Sequence, residues 1–365
     1  MKIWIHRDED FLRDFLQPDL DIKYIETDEL SSGEVLLIKR DERNNIMYSG
    51  GTVVLWDETL EKIKKLAYSR VSCNYDYYAL DYQLNREDDF DTLVVGSSYP
   101  QFGLDMTLVP TWRNLALGSQ DIYYSYHLAQ KMYKKHKYKR LFWGAHYYTL
   151  YSDLSRAKNQ SELANITYIY SRIFPHSLGL HNAWDIPKRV EEKVINGIFD
   201  IEKSIPIFIK DFFDSLGGFY WNKYRTRFSC RMRMWQGDDI TWLEANEAEK
   251  RQAAKQRTES HNKSIRYTQS LKENIELFTE MGKWCQRNGI EFYILNFPVS
   301  KLYRETENPA FRETYYDIIK SFDFPAVLFD FEEIEFGDEY FNDMDHLNDK
   351  GAKRLTEILL NAVNG

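Results

Sequence analysis

The sequence is short of the residues that build disulfide scaffolds, thiol metal sites and membrane spans. Cys73, Cys230 and Cys285 are its only cysteines. They are odd in number, far apart and unpaired in any CxxC motif, so a reducing compartment fits best. No stretch approaches the roughly 18 consecutive apolar residues of a transmembrane helix. The opening MKIWIHRDEDFLRDF lacks the apolar core of a secretory signal. The chain is therefore expected to be cytoplasmic, with no membrane span. Positive charge is in deficit too. Lys and Arg number 48 against 57 Asp and Glu, a formal charge of -9, which argues against non-specific binding to nucleic acid. P-loop, G-x-G-x-x-G and H-E-x-x-H motifs are absent, and neither a cofactor nor a metal is expected.

What is present is a well-furnished core. Of the 365 residues 43% are hydrophobic and 16% aromatic, enough for one large domain or two ordinary ones. Residues 1–88 read as a small α/β module. Its strands are expected at Lys2–Ile5, Ile22–Ile25, Val35–Ile38 and Thr52–Trp56, and its short helices at Glu9–Leu16 and Glu58–Leu66. Residues 89–365 read as a second domain. There, apolar strands at Thr92–Val95, Trp112–Leu117, Arg140–Trp143, Glu291–Phe297 and Ala326–Phe329 alternate with helices, as in a parallel sheet. An aromatic insertion is expected at about 151–245, with helices near Pro187–Ile201 and Pro206–Phe213. One long helix is expected over Glu244–Arg287, ended by Asn288-Gly289, and a last helix over Lys350–Val363. The fold class is α/β: a three-layer α/β/α domain with five parallel strands in the order 2-1-3-4-5.

In such a sheet, ligands bind beyond the carboxyl ends of the strands. Three Gly-containing turns fall there: Gly96-Ser97-Ser98, Gly118-Ser119 and Gly144-Ala145-His146. Asp343 and His346 follow the fifth strand and belong to the same rim. A serine hydroxyl needs a base to take its proton. A histidine, with a pKa near neutrality, suits that task, and a carboxylate fixes its tautomer. Ser98, His346 and Asp343 are the candidates for these roles. Ser97 is the rival nucleophile. Asp345 is the rival carboxylate, but the spacing of three to His346 favours Asp343, and Asp345 is expected to face solvent.

These blocks resemble those of the SGNH (GDSL-like) hydrolases. Gly96-Ser97-Ser98 resembles the first block, with Ser97 where Asp is common. Asn114-Leu-Ala-Leu-Gly118 resembles the second, whose Gly donates to the oxyanion. Asp343-Met-Asp-His346, continued by Leu347-Asn348-Asp349-Lys350-Gly351-Ala352, resembles the last. Ile294–Arg304 (ILNFPVSKLYR) is similar to a stretch in the branch tied to acylation of cell-surface polysaccharides and teichoic acids. The resemblance covers about residues 90–150 and 245–362. It implies a serine-dependent esterase or O-acyltransferase with a carbohydrate or glycan substrate and an acyl donor as partners. The third block departs from the pattern. It reads Gly144-Ala145-His146-Tyr147 where G-x-N-D is usual, so His146 is expected to replace the Asn as oxyanion donor beside Gly118. The departure equally fits a non-catalytic glycan-binding or assembly protein.

Three features stand apart from these blocks. In Arg225-Thr-Arg227-Phe-Ser-Cys-Arg231-Met-Arg233, alternate arginines share one face if the segment is a strand. Arg231 and Arg233 are thus candidates to bind an anionic substrate, against a plain salt-bridged strand. Lys250–Lys263 is charged along its length and reads as a solvated helix face. His127, in a tyrosine-rich helix, reads as structural.

Overall fold

The computed structural model describes residues 2–5, 21–24, 35–38, 52–55, 80, 83–157, 162, 165–170, 173–174, 242–243 and 245–364. The chain divides into two compact units, Met1–Tyr75 with Lys188–Tyr224 and Asp76–Pro187 with Arg225–Gly365. In the first unit, β1 (Lys2–Ile5), β2 (Asp21–Tyr24), β3 (Val35–Ile38) and β4 (Thr52–Leu55) form a parallel sheet in the order β2-β1-β3-β4. Each strand falls within a residue of its expected position. The expected helices of this module, and those at Pro187–Ile201 and Pro206–Phe213, lie outside the described residues, as does most of the expected insertion.

The second unit holds a five-stranded parallel sheet of β5 (Thr92–Gly96), β6 (Trp112–Asn114), β7 (Arg140–Ala145), β8 (Glu291–Asn296) and β9 (Val327–Asp330). Its order, β6-β5-β7-β8-β9, is the expected 2-1-3-4-5, and helices cover both sides. The helices are α1 (Ser98–Gly103), α2 (Ile122–Lys135), α3 (Glu247–Asn262), α4 (Thr268–Arg287), α5 (Lys301–Thr306), α6 (Ala310–Lys320) and α7 (Asp349–Asn364). Strand periodicity sends alternate side chains to opposite faces. On one face Trp112, Phe142, Tyr293 and Phe329 stack in a row across four strands, at centroid separations of 4.9, 4.6 and 5.9 Å. Leu355 and Leu359 of α7 belong to the same core. On the other face Trp143, next in sequence to Phe142, meets Phe278 of α4.

The expected long helix is interrupted. A 3-10 turn at Lys263–Arg266 separates α3 from α4, and Ser264 Oγ there donates to His261 O. Side-chain hydroxyls that bond local backbone compete with helix continuation. Helix α4 then ends where expected, with Gly289 in the left-handed region at φ +67.

The sheet reaches the site through two paired glycines, Gly96 of β5 and Gly144 of β7. Gly96 has φ +136, and a Cβ on it would lie 1.9 Å from Gly144 O. Gly96→Ala should therefore cost about 3 kcal/mol or more. Gly289→Ala, strained in φ but with no atom within 4 Å of the added carbon, should cost about 1 kcal/mol. Urea unfolding of the two variants checks the contrast.

Candidate active site

Beyond β5 the chain turns sharply, and Ser97 N–H donates to Gly144 O at 3.1 Å. Ser98 then opens α1, half-buried. Ser97 is buried, and its Oγ has no hydrogen-bond partner among the described residues. Ser98 Oγ instead lies 2.8 Å from His346 Nε2. Of the two candidate serines, only Ser98 is joined to the histidine.

His346 is held by a tight loop. Phe341 and Leu347 form an antiparallel bridge, and Asn342 N–H donates to His346 O at 2.8 Å. Inside the loop Asp343 folds back on itself. Its Oδ1 accepts from the backbone N–H groups of Asp345 at 3.0 Å and His346 at 2.8 Å. The same carboxylate lies 3.0 Å from His346 Nδ1 through each oxygen. The spacing of three residues is what lets one side chain close the turn and orient the ring. With the proton on Nδ1, directed at Asp343, the Nε2 lone pair accepts from the Ser98 hydroxyl.

The loop is anchored at both ends. Ser300 N–H donates to Met344 O at 3.0 Å. Asn348 Oδ1 accepts from the N–H groups of Lys350 and Gly351, each at 3.0 Å. Its Nδ2 donates to Glu339 O and Phe341 O. Asn348, rather than Asp349, thus caps α7.

Burial of the His346 ring works against its protonation, but the charges of Asp343 and then Asp345 outweigh burial and hold its pKa above the ordinary 6.5. Burial likewise opposes ionisation of Asp343, yet the facing imidazole and its hydrogen bond keep that carboxyl well below its usual range.

Asp345 does not face solvent. It is only 1% exposed. Its Oδ2 accepts from Arg257 Nε at 3.0 Å and from Tyr99 OH at 3.1 Å, and these bonds are what make its burial tolerable. Its Oδ1 lies 3.5 Å from His346 Nδ1. Tyr99, the neighbour of Ser98, also stacks on His346 at 5.4 Å between centroids.

Arg257 was hidden in the sequence because α3 reads as solvated. Its inner face is nonetheless specific. Lys250 reaches Asp338 at 2.8 Å, Arg257 reaches Asp345, and His261 Nδ1 lies 2.6 Å from Tyr303 OH. Residues 250, 254, 257, 258 and 261 follow helical spacing. That stripe, with Ala254 and Thr258 buried within it, is the signal that marks the docked face.

His146 lies against a buried carboxylate. Its ring is 0% exposed, and Nδ1 lies 3.1 Å from Glu307 Oε1. No hydrogen bond joins it to Ser98 among the described residues. Burial opposes its protonation, but Glu307 outweighs that and raises its pKa above 6.5. Its Nε2 has no hydrogen-bond partner among the described residues. Gly118 is half-buried at the rim. Its C=O accepts from Asn165 Nδ2 at 3.0 Å, and nothing among the described residues accepts from its N–H. His127 packs edge-on to Tyr123 at 4.2 Å, away from these groups. Arg231 and Arg233 lie outside the described residues.

His146, Glu307 and Glu332 bring ligand-type atoms within 4.8 Å of one another, as do Asp343, Asp345 and His346. In the latter group both ring nitrogens are already engaged, by Asp343 and Ser98. In the former His146 Nδ1 faces Glu307, and its Nε2 has no hydrogen-bond partner among the described residues.

A family of unknown function matches residues 219–365. The matched stretch contains Arg257, Asp343, Asp345 and His346 but not Ser98. No curated protein matches the chain. No helix among the described residues is long and apolar enough to cross a membrane.

Glu307→Gln tests the assignment of His146. In the native protein, the raised His146 pKa stabilises the fold fully below pH 6.5 and is lost as pH rises through the folded value. Without Glu307, only the weaker pull of Glu332 and Asp345 is left against burial, and the stabilisation at low pH shrinks. The variant should lose about 3 kcal/mol or more, and the loss should be larger near pH ~5.5 than near pH ~8.5. Urea midpoints at the two pH values measure it.

Proposed function

We propose that the protein is a serine-dependent esterase or O-acyltransferase with Ser98 as nucleophile, His346 as base and Asp343 as the carboxylate that orients it. The observation that carries this reading is the unbroken series of contacts from Asp343 to His346 Nδ1 and from His346 Nε2 to Ser98 Oγ, at 3.0 and 2.8 Å. Both lengths are within hydrogen-bond reach. The chemistry follows from the geometry. As Ser98 Oγ attacks an ester carbonyl, its proton passes to His346 Nε2. Asp343 stabilises the imidazolium that forms. The tetrahedral oxyanion is held by the backbone N–H groups of Ser98 and Gly118. Collapse expels the alcohol, which takes the proton back from His346. Water then releases the acyl group in an esterase, and a sugar hydroxyl receives it in a transferase.

The choice of a carbohydrate ester rests on the resemblance of Ile294–Arg304. That segment supports the acid–base loop. Ser300 ties to Met344, buried Tyr303 to His261, and Arg304 Nη1 donates to Glu332 O at 2.8 Å. Its backbone thus touches the acid–base loop, and its side chains tie to α3 and to the segment after β9.

A second reading, a glycan-binding protein without turnover, is favoured by one observation. The third block carries His146, with Nδ1 against Glu307 Oε1 at 3.1 Å, in place of the usual Asn amide donor. Loss of one such donor typically costs about 10²–10³ in rate, which lowers turnover without removing the nucleophile.

A fluorophosphonate probe should label the wild-type protein on Ser98 and fail to label Ser98→Ala. His346→Ala should slow labelling by about 10³-fold or more. No Ser98-dependent labelling would sink the proposal. Acetate release from acetylated glycans, with and without a sugar acceptor, separates hydrolysis from transfer. Glycan binding that survives Ser98→Ala, with no ester cleavage by wild type, would favour the second reading.

The pH profile is a further expectation. Only neutral His346 can accept the serine proton, and its pKa is held above 6.5. Activity should therefore fall on acidification with a midpoint above pH 6.5, and Asp343→Asn should move that midpoint down. Labelling rates across pH measure both.

A further inference from the structure

Two carboxylates face one ring nitrogen. Asp343 approaches His346 Nδ1 at 3.0 Å and Asp345 at 3.5 Å. The two oxygens of Asp345 have different fates. Oδ2 is fully engaged by Arg257 and Tyr99. Oδ1 is buried and has no hydrogen-bond partner among the described residues, and it lies against the His346 imidazole. An unpartnered carboxylate oxygen in the interior is costly. It becomes favourable when the neighbouring ring gains a proton, and the proposed reaction puts one there. The other charged or titratable groups around His346 are Ser98 and Tyr99 from α1 and Arg257 and His261 from α3.

We propose that Asp345 is a positioning residue for His346: a second, buried carboxylate, held in place by Arg257 and Tyr99, that stabilises the imidazolium from the side of Nδ1 and ties the acid–base loop to the helix bearing Ser98. It rests on the reading of Ser98 and His346 given above. Tyr99 supplies the tie. Its backbone follows the nucleophile, its ring stacks on His346 and its hydroxyl donates to Asp345. Arg257 supplies the counter-charge from α3. It offsets the negative charge that Asp345 presents to the ring while leaving Oδ1 aimed at Nδ1.

The two partners should therefore act on His346 with opposite signs. Asp345→Asn removes negative charge and should lower the His346 pKa by about one unit. Arg257→Gln removes positive charge and should raise it, by an amount of the same order. NMR titration of the His346 ring in the full-length protein reads both shifts. It needs no turnover, so it stands even if the wild-type protein is never labelled at Ser98. In the labelling assay Asp345→Asn should move the acid limb to lower pH and reduce the plateau rate by about tenfold. Arg257→Lys, which keeps the charge, should return the limb toward the wild-type position. A loss of fold stability alone would move neither the titration nor the limb in opposite directions. An unchanged His346 titration in folded Asp345→Asn, or shifts of one sign in both variants, would overturn the proposal.

Discussion

The contact between Ser98 Oγ and His346 Nε2 joins residues 248 positions apart, and much of the described α/β/α unit is arranged to hold it. At one end, β5 must finish against β7 closely enough for Ser97 N–H to reach Gly144 O. This approach leaves no room for a side chain at residue 96. The turn then delivers Ser98 at the start of α1. At the other end, β8 and β9 lead into a loop whose shape is set by the Asp343 side chain. A hydrogen bond of this kind tolerates only a few tenths of an ångström. Two rigid ends joined to one sheet meet that tolerance better than two free loops do.

The stacked row of Trp112, Phe142, Tyr293 and Phe329 belongs to the same constraint. It runs across the strands that carry both ends of the site. Aromatic side chains bury much area and resist rotation in a packed interior. The aromatic content read from the sequence is thus largely core where the structure describes it. Tyr99 is the exception that serves both purposes, since its ring packs against His346 while its hydroxyl finds Asp345.

The strand positions and the approach of Asp343 to His346 were legible in the sequence because each is written locally. Strands declare themselves by short apolar runs, and the Asp-x-x-His spacing is itself the geometry of the turn. What was not legible depends on contacts between distant segments. Nothing local separates Asp345, buried, from an exposed aspartate; Arg257, on another helix, decides it. The break between α3 and α4 falls in a stretch with neither proline nor glycine, where Ser264 bonding to His261 O accompanies the interruption. Nothing local to His146 announces that Glu307, just past the end of α5, lies against its Nδ1. Helix α3 looked like a solvated face because its inward contacts are made by charged residues instead of apolar ones.

The charge arrangement behind His346 resolves a conflict built into the proposed chemistry. A carboxylate near the ring stabilises the imidazolium as it forms, but the same field protonates the resting histidine and removes it from service as a base. Two unit charges about 4 Å apart near a protein surface interact by on the order of 4 kcal/mol. A second carboxylate without a counter-ion would therefore push the pKa of the ring further up. Arg257 offsets that field from the far oxygen of Asp345. Its charge lies on the side away from Nδ1, so the near oxygen still faces the ring. The resting histidine is thus kept from the full field of two carboxylates, and both remain in place for the moment the proton arrives. On this view the charged helix α3 belongs to the site's electrostatics as much as the loop that carries His346 does.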